Sequence, residues 1–180
     1  VEQYPENVEA RLFLAEQFMR LTDFTRAEPH VEAAQDLAPD DPRTRIVANA
    51  LAYRDAVLAE SASQREEVVE VARGLREVRP DNVMNLALIA DAAMLDEDYA
   101  GALETLDRLI GLAPDNRTFW QMRLNAFARL QDHKAVETTL LEMIDRFPED
   151  ETLPQSLIRF FAGRGDLQGA AAFLRDRIPE

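Results

Sequence analysis

The sequence predicts an all-α solenoid of helix–turn–helix units. Three observations predict it. First, one phrase recurs five times: "QYPEN" at 3–7, "LAPDD" at 37–41, "VRPDN" at 78–82, "LAPDN" at 112–116 and "RFPED" at 146–150. Its prolines, Pro5, Pro39, Pro80, Pro114 and Pro148, are spaced by 34, 41, 34 and 34 residues. A fixed period of this size marks one supersecondary unit stacked many times. Second, apolar residues recur at helical spacing: Leu86, Ile89, Ala90 and Ala93, then Leu103, Leu106 and Ile110, with a polar "DED" between the two sets. Third, Asp23, Asp98, Asp132 and Asp166 stand where a second helix would begin, each able to accept a bond from an unpaired amide.

The units follow in order. Proline cannot continue a helix interior, so each phrase ends one unit, and the Asp or Asn after it caps the next. In unit one, Ala15 and Ala27 are small where two helices would approach closely, and Pro29 should delay or kink the second helix. In unit two, Asp41 caps and Pro42 takes the first helical position, where a missing amide costs nothing. Seven extra residues fall within "AYRDAVLAESASQREEV", about two turns or roughly 10 Å of helix. The alanine and leucine run predicts that the first helix continues to about Glu60; a longer loop at Ser61–Gln64 is the alternative. Asn49 and Val68 are then the close-contact pair, and Gln64 is a poorer cap. Unit three offers Ala90 and Ala102, and unit four Leu124 and Val136. In unit five, Ile158 and Ala170 hold these places, and "TLPQ" predicts Thr152 as cap, Gln155 completing a capping box and Pro154 in the first turn.

Composition narrows the function. The 180-residue chain has 34 acidic and 20 basic residues, a formal net charge of −14. That balance argues against nucleic acid and anionic membranes, which need a cationic footprint, and favours a neutral or basic partner. The absence of cysteine removes disulfides, zinc–thiolate sites and thiol nucleophiles. No apolar run reaches the length of a membrane span. Of the basic residues only Lys134 is lysine, a skew associated with GC-rich bacterial genomes. The chain starts at Val1 without methionine, and "VEQYPEN" reads as the tail of an earlier second helix, so a longer array is expected. The last helix, Asp166 to about Arg177, has no polar capping helix behind it, so its outer face should meet further chain, another molecule or a second copy.

Candidate chemistry is sparse. His30 stands alone, and His133 with Glu137 one turn on reads as a solvated pair on a helix face. "DEDYAG" at 96–101 has the opening of a calcium loop, but Ala100 and Asp107 replace required ligands, so it reads as a helix cap. "GRGD" at 163–166 reads as a turn, and no phosphate loop or nucleophile elbow occurs. No catalytic residue, metal or cofactor is assigned, and no enzyme is expected.

The register resembles the tetratricopeptide repeat. Phe18, Phe127 and Phe161 match its aromatic late in the first helix, "DFTRA", "DYAGA" and "DLQGA" match the start of the second, and its initial tryptophan survives as Trp120. The resemblance implies one right-handed solenoid over 1–180, with repeats at about 5–38, 39–79, 80–113, 114–147 and 148–178. It implies a bound peptide or protein on a concave face lined by first helices. Carried over residue by residue, the inward positions are Glu9, Leu12, Phe13 and Glu16; Arg43, Ile46, Val47 and Ala50; Met84, Ala87, Leu88 and Asp91; Thr118, Gln121, Met122 and Asn125; and Gln155, Ser156 and Arg159. Some of the apolar ones would instead pack between helices. The family's carboxylate clamp is absent, because Leu12, Glu16, Ile46, Ala87 and Asp91 fill its places. Charge reversal at Glu16 and Asp91 should weaken a basic ligand and spare stability. The resemblance implies a scaffold or adaptor, with the bacterial cell envelope preferred over the cytoplasm. Two alternatives stand beside it: a regulatory or substrate-holding array attached to an enzyme, and a self-association module.

Overall fold

The computed structural model describes residues 6–177, which form ten α-helices and no strand. Packing divides them into two compact bodies, one up to Glu97 and one from Asp98. The first holds α1 (Val8–Arg20), α2 (Phe24–Leu37), α3 (Pro42–Leu58), α4 (Ala62–Val78) and α5 (Val83–Leu95). The second holds α6 (Tyr99–Leu112), α7 (Arg117–Arg129), α8 (His133–Arg146), α9 (Thr152–Gly163) and α10 (Leu167–Arg177). Pro39, Pro80, Pro114 and Pro148 all sit in turns between helices, where a missing N–H breaks no ladder. Pro5 and the "VEQYP" segment lie outside the described residues.

In the first body each helix packs on the next, and the first helices also touch one another, α1 on α3 and α3 on α5. One core gathers Leu12, Ala15, Val31, Ala34, Val47 and Leu51; another joins Tyr53, Val69, Ala72, Leu88, Ile89 and Ala92. Ala15 and Ala27 are fully buried, as small residues at a close helix crossing should be. In unit two the close-contact pair meets through a bond: Asn49 Nδ2 donates to the Val68 carbonyl at 3.0 Å. In the second body, successive helices from α6 to α10 pack in order. Its core includes Trp120, Leu140, Met143, Leu157 and Phe161. Trp120 satisfies its buried indole N–H on the Pro114 carbonyl at 2.8 Å, tying α7 to the turn before it.

Four local expectations need correction. The extra length of unit two is shared: α3 and α4 have 17 residues each, against 13 and 14 in α1 and α2. Four added residues fall in α3 and three in α4, so α3 stops at Leu58 and the turn stays short. The α4 cap is therefore Ser61, which accepts from Gln64 N at 3.4 Å; Gln64 itself is the donor. Pro29 does not delay α2, which starts at Phe24 under the Asp23 cap and carries the proline inside it. At α9 the side-chain cap is Asp150, accepting from Thr152 N at 3.0 Å and Thr152 Oγ1 at 2.5 Å. A carboxylate two residues upstream outcompetes the hydroxyl as acceptor for the first free amide.

Candidate protein-binding surface

In the first body the inward positions divide by depth. Leu12 (1% exposed), Ile46, Val47 and Leu88 are buried and pack between helices. What remains outside is polar, aromatic or small. Phe13 is 56% exposed on α1, Met84 and Ala87 are half-buried on α5, Ala50 is half-buried on α3, and Glu9 and Asp91 are exposed.

Two interhelical links run across this surface. Arg43 grips Glu16 with both ends of its fork, Nε to Oε1 at 2.8 Å and Nη2 to Oε2 at 2.7 Å, and reaches Glu9 Oε2 with Nη1 at 2.7 Å. Bidentate geometry of this kind is the strong form of an ion pair. The Glu16 bond, ahead of every other influence, raises the Arg43 pKa further. One helix on, Tyr53 donates its hydroxyl to Asp91 Oδ2 at 2.8 Å. Burial, and then the Asp91 charge, push the Tyr53 phenol far above its ordinary value. Tyr53 is absent from the sequence-based set, although it lies one turn beyond Ala50 on the same face of α3. These links change one expectation. Glu16 and Asp91 join α1 to α3 and α3 to α5, so reversing their charges should cost stability as well as ligand.

In the second body, α7 presents Thr118, Gln121, Met122 and Asn125, and α9 presents Gln155, Ser156 and Arg159. Thr118, Asn125, Gln155 and Arg159 are exposed; Gln121, Met122 and Ser156 are half-buried. Two of their bonds stay within single helices: Gln121 Nε2 donates to Asn125 Oδ1 at 3.1 Å, and Arg159 Nη2 donates to Ser156 Oγ at 3.4 Å.

His30 belongs to packing, and His133 is exposed. His30 stacks on Phe18 at 5.7 Å, and its Nδ1 meets Arg11 Nη1 at 3.2 Å. Burial first, then the Arg11 charge, lower its pKa. His133 lies against Phe160, ring centroids 6.2 Å apart. In "DEDYAG", Asp98 caps α6 by accepting from Gly101 N at 3.0 Å. Among the described residues, no three His, Asp or Glu side chains converge as metal ligands.

No family model matches the chain, and no curated protein sequence does. Solved structures do. A MamA fragment from Desulfovibrio magneticus RS-1 is similar at 15% identity and a TM-score of 0.61, over 94% of this chain and 92% of that one. A thermophilic tetratricopeptide-repeat protein of Thermus thermophilus is similar at 16% identity and a TM-score of 0.58, over 94% and 89%. A structure of Naa15/Naa10 bound to HypK-THB matches at 11% identity and a TM-score of 0.70, over 96% of this chain and 26% of that one. These likenesses show the fold: an all-α solenoid of tetratricopeptide-type helical repeats. No described helix is long and apolar enough to cross a membrane.

Proposed function

We propose that this chain is a non-enzymatic protein-interaction module that takes a neutral or basic peptide, or a protein segment, on the surface of its first helices. The observation that carries this reading is in the first body. There α1, α3 and α5 lie in contact, yet leave outside the core an exposed Phe13, the half-buried Met84 and the carboxylates of Glu9 and Asp91. An exposed ring offers a face to cations, and methionine adapts its shape to a partner. Three carboxylates (Glu9, Glu16, Asp91) against one guanidinium leave the patch negative, which suits a basic side chain. Within the first body the turns between helices are short, which limits how far its first helices can move against one another. The fold is compatible with binding, since one of the similar structures is of a complex, although fold alone does not fix function.

The test is affinity capture with the immobilised chain, with bound proteins identified by mass spectrometry. Phe13→Lys and Glu9→Lys should each reduce recovery of the captured protein, while Glu104→Lys on the second helix α6 should not. Loss with Glu104→Lys and full retention with the other two would refute the assignment to first helices.

A further inference from the structure

The first body has a recess whose lining does not include Phe13. It has a volume of about 300 Å³ and is lined by Gln35 of α2, Val71 of α4, and Thr44, Arg45, Ala48 and Ala52 of α3. That size is at the lower end of the roughly 300–1,000 Å³ range of ligand-holding clefts.

Its origin is visible in the repeat register. Five residues after its closing proline, Asn85 reaches back and donates Nδ2 to the Ala72 carbonyl at 2.8 Å, bridging α5 to α4. Thr44 holds the same position after Pro39. Its shorter side chain is fully buried, and its hydroxyl has no hydrogen-bond partner among the described residues. Asn85 Oδ1 and Thr139 Oγ1 are also buried without a partner among the described residues, so what distinguishes unit two here is the lost bridge to the preceding helix. The alanines at 48 and 52, one and two turns along, keep the floor low and apolar.

The rim adds the third element. Arg45 is exposed and has no ion pair or hydrogen bond among the described residues, in a chain whose formal net charge is −14. Most arginines of the described residues are engaged by carboxylates, rings or polar groups, including Arg43, Arg54 and Arg123. A free guanidinium beside an apolar floor makes this a mixed recess.

We propose that this cleft binds an extended peptide segment of a partner, carrying one carboxylate two residues away from one apolar side chain. The spacing fits. Ala48 and Ala52 lie about 5–10 Å along α3 from Arg45, and residues i and i+2 of an extended chain lie about 7 Å apart on one face. The apolar side chain seats on Ala48, Ala52 and Val71, and the carboxylate meets Arg45 as a charge-assisted bond. A single carboxylate is favoured over an acidic run, because the net negative field of the chain repels the latter. This site goes beyond the first-helix reading and does not rest on it.

The probe is an N-acetylated, C-amidated hexapeptide of serines with one glutamate and, two positions on, one leucine. It is titrated into the ¹⁵N-labelled full chain while amide shifts are followed. Saturable shifts should concentrate at Gln35, Thr44, Ala48, Ala52 and Val71. Glutamine in place of the glutamate should weaken binding about tenfold, as should Arg45→Glu. Arg45→Glu should in turn prefer a lysine version of the peptide. Ala48→Leu should fill the floor and abolish binding; if it fails to fold, the charge swap at exposed Arg45 decides alone. No saturable shift up to about 1 mM, equal binding of the glutamine peptide, or shifts centred on Phe13 would each overturn the proposal. Phe13→Ala should leave it untouched, which separates its failure from that of the first-helix surface.

Discussion

Asp23, Asp132 and Asp166 each donate a backbone N–H to the carbonyl five residues back, those of Phe18, Phe127 and Phe161, at 2.8, 3.0 and 2.9 Å. Each side chain then accepts from the amide three residues on, that of Arg26, Ala135 or Gly169. One residue therefore closes the first helix in a Schellman turn and opens the second. Asp132→Ala should lower stability by about 1 kcal/mol in urea denaturation, and Asp132→Asn by much less. The residue before each cap is left-handed: Thr22, Glu60, Glu97 and Gln131 have φ of 58°, 51°, 60° and 57°, and only unit five uses glycine there. A β-branched residue is least suited to that region. Thr22→Gly should raise stability by about 0.5 kcal/mol, strain relief exceeding the added unfolded-state entropy. The caps also titrate. The Arg26 side-chain bond lowers the Asp23 pKa, and the Thr152 hydroxyl, ahead of Arg117, lowers that of Asp150. A carboxyl depressed in the folded state stabilises fully above its unfolded pKa of about 4, and that contribution is lost as pH falls toward the folded value. Asp150→Asn should therefore lower stability in the neutral region and leave it nearly unchanged in acid, so that the acid limb of a stability–pH curve flattens. An unaltered acid limb would show that this cap carries no proton linkage.

At the scale of elements, the paired helices and their seams were legible because proline, the capping Asp or Asn and the small residues act locally. Ala90 illustrates this. Its place in the repeat demands a small residue, and it is fully buried. Ala90→Leu should cost roughly 1–3 kcal/mol by overpacking, read as a lower melting temperature. Unchanged melting would break the register. Where two local signals competed, the sequence was ambiguous. Register points to Gln64 and Thr152 as caps, yet Ser61 and Asp150 accept the bonds, because choosing between neighbours depends on backbone geometry around the turn. The division of seven extra residues between α3 and α4 was hidden for a related reason: helical periodicity runs through either helix equally well. The surface was harder still. Leu12, Val47 and Leu88 face inward by register, yet a first helix buries one stripe against its partner and another against the next first helix. The sequence period does not separate those two stripes. Arg43 with Glu9 was in principle legible, as opposite charges 34 residues apart at the same repeat position. Tyr53 with Asp91 was not, because the lengthened second unit shifts that pair to a separation of 38.

For the molecule as a whole, the fold supplies a repeated platform and the side chains decide its use. The net charge of −14 is the basis for proposing a basic rather than a nucleic-acid partner. Its long-range part is screened by salt within about 10 Å at 0.1 M. The apolar positions at the seams are committed to the core, so the proposed recognition rests in the first body on Phe13, Met84 and the polar residues around them. The most direct measurement is site-specific photocrosslinking to the captured partner. A photoreactive amino acid would replace Phe13, Glu9 or Glu104 in turn. Adducts with the same partner from positions 13 and 9, and none from position 104, are expected. Adducts from position 104 alone would contradict a binding surface built from the first helices.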